Sequence, residues 1–354
     1  AIQINPLYVE AYINQGLALQ SLNYLDKALL TFEKALEIDP NNADAHLNRS
    51  LALLSTGNFK EGLPEYEWRW KSKNLIKKGK ERIFNQPLWL GEENLVNKTI
   101  LLWSEQGLGD CIQFSRYATL VKKQGAKVLL EVPKQLLTIM QNLEGVDFVF
   151  EQGEVSQDFD FQCPLMSLPL AFKTDLRSIP HFGRYLKICA KKTEEWLQKI
   201  GDKNKPRIGL VWSGNLQHKN DHNRSLALSD LLKFLPPDFE YFSLQKEVRI
   251  QDEKILSGSF IKHYENELID FSDTTALCDL MDLVVSVDTS VAHLSGALNK
   301  ITWVLLPYAA DWRWLLRGET TPWYPSLKLF RQGDDRQYGA VLDRLRKELL
   351  EILL

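Results

Sequence analysis

The first 72 residues repeat themselves at an offset of 34. Asn5-Pro6 returns as Asp39-Pro40, Ala11 as Ala45, Leu17 as Leu51 and Ala18 as Ala52, while Tyr24 falls on Asn58 beside Phe59. A period of that length is too long for one strand or one helical turn pattern. It marks a supersecondary unit of two helices that buries its apolar face only by stacking on a neighbour. Two such units are few for a free-standing stack. Either further repeats precede residue 1, or these helices lean on the neighbouring domain. The aromatic run Tyr66, Trp68 and Trp70 is expected to make that contact.

From Lys98 the period changes. Thr99–Trp103 and Lys127–Val132 are short apolar runs of strand type, followed by weaker ones at 148–150 and 159–161. Helices are expected between them at 111–124 and 135–143. A second run of the same kind opens at Pro206. Its expected strands are 207–212, 241–244, a short one at 259–263, 283–287 and 301–306, with a final amphipathic helix near 337–353. Strands alternating with helices predict parallel sheets with right-handed crossovers. The expected division is therefore 1–72 repeats, 73–97 linker, 98–190 a first Rossmann-like domain, 205–335 a second, and 336–354 a C-terminal helix. The basic stretch inside 73–97 reads as a solvated linker.

Composition removes several classes. A net charge of −3 over 354 residues gives no electrostatic case for nucleic acid. No apolar run approaches the ~20 residues that span a bilayer. Cys111, Cys163, Cys189 and Cys278 lie far apart, without CxxC or Cys/His spacing. Neither a disulfide framework nor structural zinc is expected, and the cytoplasm is the expected location.

The stretch Leu283-Val284-Val285-Ser286-Val287-Asp288-Thr289-Ser290-Val291-Ala292-His293-Leu294 reads strand, turn, helix. Asp288, Thr289 and Ser290 are all helix-capping types. The unit aims helix N–H groups at the space beyond the strand end, where phosphates bind in open α/β folds. His293 follows Thr289 by one helical turn. Two other polar turns end strands. Gln106-Gly107-Leu108-Gly109-Asp110 carries glycines that let the backbone approach a ligand, and an aspartate that can cap its helix or act as a base. Trp212-Ser213-Gly214-Asn215 offers a hydroxyl and a backbone N–H, with Lys219 or Arg224 downstream to neutralise phosphate charge. Gln245 and Lys246 end the intervening strand. His218 and His222 lack a carboxylate cluster, and no metal site is expected. Asp311, Trp312 and Arg313 complete the candidates: aromatic and charged groups at a strand end suit carbohydrate or base stacking, or simply pack the core.

Residues 5–40, "NPLYVEAYINQGLALQSLNYLDKALLTFEKALEIDP", resemble the tetratricopeptide repeat family, which implies a protein or peptide partner or a structural prop. Residues 98–335 resemble the lipopolysaccharide heptosyltransferase family in "GLGD", "GLVWSGN" and "SVDTSVAHLSGAL". The whole chain is similar to bacterial proteins that join such repeats to such a domain. In architecture, though not in motif, it is also similar to the protein O-linked N-acetylglucosamine transferases. The resemblance implies α-helical repeats followed by an α/β, B-type glycosyltransferase fold of two Rossmann-like domains facing a cleft. It implies a metal-independent transferase with no cofactor, moving sugar from a nucleotide-diphosphate sugar to an acceptor, a protein included, recruited by the repeats. The diphosphate would lie at the helix after Thr289, the acceptor would enter from the first domain, and Asp110 maps onto the proposed general base. The alternative is an inactive transferase fold serving as a nucleotide-binding or protein-interaction scaffold.

Overall fold

A computed structural model of the chain describes residues 1–72 and 82–352. The Lys-rich part of the expected linker, 73–81, lies outside the described residues, as do residues 353 and 354 of the expected C-terminal helix.

The repeats form four helices, α1 (Val9–Ser21), α2 (Leu25–Ile38), α3 (Ala43–Ser55) and α4 (Phe59–Tyr66). Asn42 and Asn58 start α3 and α4 by accepting the backbone N–H groups of Ala45 and Glu61 at 3.0 and 3.4 Å. Small residues set the crossings. A Cβ on Gly16 would lie 2.3 Å from Phe32, and one on Gly62 2.8 Å from Leu54. Pro64 cannot donate within α4, and the helix tightens into a 3₁₀ turn, Glu67–Lys71, that enters the next domain.

Two fully parallel sheets come next in the chain. The first has the order β3-β2-β1-β4, from β1 (Thr99–Trp103), β2 (Lys127–Val132), β3 (Phe148–Glu151) and β4 (Phe161–Pro164). The second has the order β6-β5-β7-β8-β9, from β5 (Arg207–Val211), β6 (Glu240–Ser243), β7 (Leu283–Val287), β8 (Thr302–Leu306) and β9 (Leu327–Arg331). Strands β5, β7 and β8 are buried at every residue, which explains their predominantly apolar character; the polar exceptions are Arg207, Ser286 and Thr302. In each sheet the chain reverses its lateral direction once, between β1 and β4 and between β5 and β7. Ligand crevices of such sheets open at those switch points.

Several expectations change. β9 is not among the expected strands. The short strand at 259–263 is a single bridge from Lys262 to Phe242. The helix expected at 111–124 is two pieces, Leu108–Phe114 and Ala118–Lys123, joined by a 3₁₀ turn. Residues 82–97, expected as linker, are packed in their described extent. Leu88 bridges to Gln162 at the β4 edge, Trp89 and Leu95 are buried, and Phe84 covers Trp103 at 5.4 Å. Arg82 pairs with the buried Glu131 on β2. Helix Ala190–Ile200, which straddles the end of the first expected domain, packs on the second. Trp196 Nε1 donates to Asp273 at 3.2 Å, and Lys192 reaches the same carboxylate at 2.5 Å.

The repeats are wedged against both sheets' helices rather than projecting from them. Trp312 sits among Phe59, Tyr66, Phe114 and Trp323, with ring centroids 5.9–6.4 Å away. Asn23 Nδ2 donates to the Tyr308 carbonyl at 2.6 Å. The inner face of the second repeat is thus filled by the chain's own Trp312–Trp314 turn. Tyr66 packs on that turn, Trp70 packs on Trp103 at 5.5 Å, and Trp68 stacks instead on His46 at 4.0 Å.

Candidate active site

Helix Leu108–Phe114 starts after β1 and helix Ser290–Ala297 after β7. They cross in direct contact, so the start of each lies beside a switch point. Gly109 makes the approach feasible. A Cβ there would lie 2.7 Å from His293 Cδ2 and 3.4 Å from Ser290 Cα. The glycine read from sequence as approaching a ligand approaches the partner helix instead. Gly109→Ala is expected to lower stability by about 1–2 kcal/mol, overpacking outweighing the gain in helix propensity. Gly107→Ala, whose Cβ meets only the movable Asp110 Oδ2 at 3.2 Å, should be near neutral. Urea midpoints of the two variants check this.

Asp110 Oδ2 accepts the Gly107 N–H at 2.8 Å, which is the capping role. Its Oδ1 meets Arg313 Nη2 at 2.5 Å, and Arg313 Nη1 holds Asp311 Oδ1 at 2.7 Å. Burial opposes the Arg313 charge, but the two carboxylates outweigh it and hold the guanidinium firmly protonated. Its plane lies over the rings of Trp312 and Phe114, at 4.7 and 5.6 Å. Gln106 turns away, donating to the Tyr66 hydroxyl at 2.7 Å.

Across the crevice, Thr289 adopts the extended N-cap backbone, φ −140° and ψ 173°, but no side chain caps the helix it starts. Its hydroxyl lies 3.2 Å from Ser286 Oγ. The capping expected of Asp288, Thr289 or Ser290 is therefore not seen, and the first-turn N–H groups keep no side-chain partner among the described residues. Arg224 donates from Nη1 to the Asp288 carbonyl at 2.9 Å and covers Gly214, where a Cβ would lie 2.5 Å from Nη2. Lys219 is exposed and has no partner among the described residues, so Arg224 is the cation that the fold delivers to this turn. Poor hydration, and then the charge of Asp311, push the Asp288 carboxyl up to about 6, against the pull of Arg224.

Five candidates, Ser213, Gly214, Asn215, Gln245 and Lys246, have partners inside the protein. Gln245 braces the turn after β5. Its Oε1 accepts from the N–H groups of Trp212 and Ser213 at 3.2 and 3.1 Å, and its Nε2 donates to Ser213 Oγ. The Gly214 N–H, expected to meet phosphate, donates to Ser225 Oγ at 2.9 Å. Lys246 donates to the Ile269 carbonyl, and Asn215 accepts from Gln217 N at 2.8 Å while staying exposed.

His293 points into the core. Nδ1 lies 3.2 Å from the Tyr324 hydroxyl, and the ring stacks on Trp314 at 5.1 Å. Burial, reinforced by the Arg313 charge, pushes its pKa down to about 3. Below pH ~6.5 the unfolded chain binds a proton there that the folded chain refuses. This group's contribution to stability is therefore lost as pH falls from ~6.5 toward 3. Denaturation across that range should show a shallower acid loss in His293→Gln than in wild type.

Two buried arginines had no sequence signal. Arg69, in the turn after α4, joins Glu67, Glu105 and Ser167 at 2.5, 3.2 and 2.7 Å. Arg116 donates to the carbonyls of Gln113 and Trp323 at 2.8 and 2.6 Å and lies 4.5 Å over the Tyr324 ring, pinning one half to the other. Among the described residues no three His, Cys, Asp or Glu side chains assemble as a metal site, and no helix is long and apolar enough to cross a membrane.

Helical repeats on a pair of parallel sheets, with switch points adjoining across a crevice, define a tetratricopeptide-repeat chain carrying a B-type glycosyltransferase fold. Comparison with known proteins agrees. Residues 16–57 match the family model described as TPR repeat. Protein FlbA of Caulobacter vibrioides is 23% identical over 96% of this chain, which spans only 60% of FlbA's own length. Among solved structures, a family 9 glycosyl transferase from Veillonella parvula superposes with a TM-score of 0.51 at 10% identity, over 72% of this chain and 92% of its own. The iron-containing dodecameric glycosyltransferase TibC from enterotoxigenic E. coli gives 0.51 and 10%, over 74% and 78%. At such identities the likeness establishes the fold.

Proposed function

We propose that the chain is a glycosyltransferase that takes sugar from a nucleotide-diphosphate sugar. The observation that carries this reading is the adjoining of the two switch points. A helix start without a side-chain cap and Arg224 lie on one side, and Asp110 on the other. The helix N-terminus and guanidinium can stabilise the charge that develops on the departing diphosphate without a metal ion. Asp110 has lone pairs beyond the two it uses and can take the acceptor proton. The cytoplasm, where nucleotide sugars are made, fits this chemistry.

The test is a thermal-shift series with ADP-, GDP-, UDP- and dTDP-sugars. A donor at 100 times its dissociation constant should stabilise the chain by about 2.7 kcal/mol. The shift should survive EDTA and Lys219→Ala but fall in Arg224→Ala. A shift that responds to Lys219 and not Arg224 would reverse the cation assignment, and no shift with any donor would remove the reading.

The Arg313–Asp110 contact favours one second reading, an inactive scaffold in which Asp110 only holds the two halves together. That reading requires donor binding with no turnover toward any acceptor.

A further inference from the structure

A cavity of about 390 Å³ opens between the first repeat and the carboxyl ends of β8 and β9, at the small end of ligand pockets. Its described lining carries two arginines, Arg331 and Arg336, and no carboxylate. It is a positively charged recess in a chain whose formal charge is −3.

Arg331, the last residue of β9, is held in place without being neutralised. Its Nε, Nη1 and Nη2 donate to the carbonyls of Gly318, Leu315 and Trp314 at 2.8, 3.1 and 2.5 Å. That uses three of its five N–H groups and leaves two. No acidic side chain pairs with it among the described residues, and burial, unopposed, pushes its pKa down to about 10. Carbonyl dipoles orient a guanidinium but leave its charge, and a cation so far out of water is stabilised by an anion beside it. Arg336 stands exposed at the rim. It lies 5.2 Å over the Tyr308 ring and donates from Nη2 to the Ser21 carbonyl, on the opposite wall, at 3.4 Å. It too has no ion pair among the described residues. Asp334, two positions earlier, engages the Tyr308 hydroxyl and is not part of the lining. Two guanidinium charges match a phosphate monoester, which carries about −1.5 to −2 at pH 7, whereas a carboxylate answers only one of them.

The other polar groups are uncharged. Asn23 Nδ2 donates to the Tyr308 carbonyl at 2.6 Å, which leaves the Asn23 oxygen to accept. Gln332 Oε1 accepts the Tyr308 N–H at 2.9 Å, which leaves the Gln332 amide to donate. Gln20, on α1, has no hydrogen-bond partner among the described residues. Hydroxyl groups, which donate and accept alike, suit such a mixture. Among the described lining residues Tyr308 alone is aromatic, and Arg336 already lies over its ring, which disfavours a stacked nucleobase.

We infer that this cavity binds the phosphate monoester of a small polyol, a sugar phosphate in chemical class, with Arg331 and Arg336 on the phosphate and the carboxamides on the hydroxyls. The lining includes none of Asp110, Arg224, Thr289 and Ser290, so the site stands apart from the donor turn and does not rest on the glycosyl-transfer reading. Its walls belong to the first repeat and to the second sheet, and an occupant joins the two.

The experiment is isothermal titration of the full chain with glucose 6-phosphate at fixed ionic strength, with inorganic phosphate, glucuronate and glucose as the other arms. Glucose 6-phosphate should bind about tenfold or more tightly than inorganic phosphate or glucuronate, and glucose should give no heat. Arg336→Ala should weaken glucose 6-phosphate by about ten- to a hundredfold, the loss of one charge-assisted contact. Gln20→Glu, on the opposite wall, should abolish binding by setting a negative charge in the cavity. Both variants should melt at the wild-type temperature without ligand, which separates loss of the site from loss of the fold. No binding by wild type would overturn the inference. So would equal binding by wild type and both variants, which would place the anion elsewhere, at the Arg224 turn for example. Glucuronate bound as tightly would overturn the phosphate assignment, and inorganic phosphate bound as tightly would overturn the polyol.

Discussion

Asp110→Asn should lower sugar transfer by about two to four orders of magnitude while leaving the donor-induced thermal shift in place. The carboxylate sits at the start of helix Leu108–Phe114, next in the chain to Gly109, which meets Ser290 across the helix crossing. The amide keeps the size of the side chain and one oxygen, so either the Gly107 N–H or Arg313 retains its acceptor. What it cannot do is take a proton from a hydroxyl at neutral pH. A modest stability loss of about 1 kcal/mol should accompany the change, because one charge-assisted contact to Arg313 weakens. Asp311→Asn gives the control, since Asp311 shares the same arginine. Undiminished transfer in Asp110→Asn would end the base assignment. A donor shift with no transfer even in wild type would favour the scaffold reading.

The second large effect concerns stability. Arg69→Met should cost about 3–5 kcal/mol, because it leaves a buried carboxylate cluster without its cation. Arg69 is 1% exposed and links the turn after α4 to Glu105 on the first polar turn and to Ser167 beyond β4. Burial pushes Glu105 up to about 7, and the Arg69 charge resists that rise. A carboxyl raised in the fold binds a proton that the unfolded chain has released. Its contribution to stability therefore declines as pH rises from ~4.5 to ~7 and is constant above. Without Arg69 the decline should extend to higher pH, so the deficit against wild type widens above pH 7. Adding Glu105→Gln to Arg69→Met should recover part of the loss and remove that widening. Urea unfolding at pH 6 and pH 9 measures both.

The elements legible in the sequence are those governed by local pattern. The 34-residue offset gives the repeats because each unit's small residues, such as Gly16 against Phe32, serve contacts within the unit or with its neighbour. Strands β1, β2, β5, β7 and β8 show as apolar runs because both faces are covered. β9 is hidden because Lys328 and Arg331 interrupt its apolar residues and it comes after a long aromatic loop. Residues 82–97 read as linker because Pro87 and Gly91 look like turn chemistry, yet Trp89 and Phe84 belong to the core and to the far face of the first sheet. Sequence leaves Lys219 and Arg224 equal, since both stand in one polar loop. The fold separates them, because the loop turns back so that Arg224 covers Gly214. His293 shares a helix with the candidate phosphate-binding turn, but its direction is set by Trp314 and Tyr324, twenty and more positions away. No local signal marks Arg69 or Arg116, because what distinguishes them is burial beside groups distant in the chain.

The aromatic cluster around Trp312 draws on Phe59 and Tyr66, on Phe114, and on Trp323. During synthesis the repeats leave the ribosome before the two sheets, and they do so with the inner face of the second unit bare. That face is closed only after more than two hundred further residues have been made. The chain thus holds this aromatic surface open until the Trp312 turn has been made, and closing so long a loop makes that step a slow one. Shielding by a chaperone would matter most between completion of α4 and arrival of the Trp312 turn, and truncations ending before that turn should aggregate rather than yield a soluble repeat module.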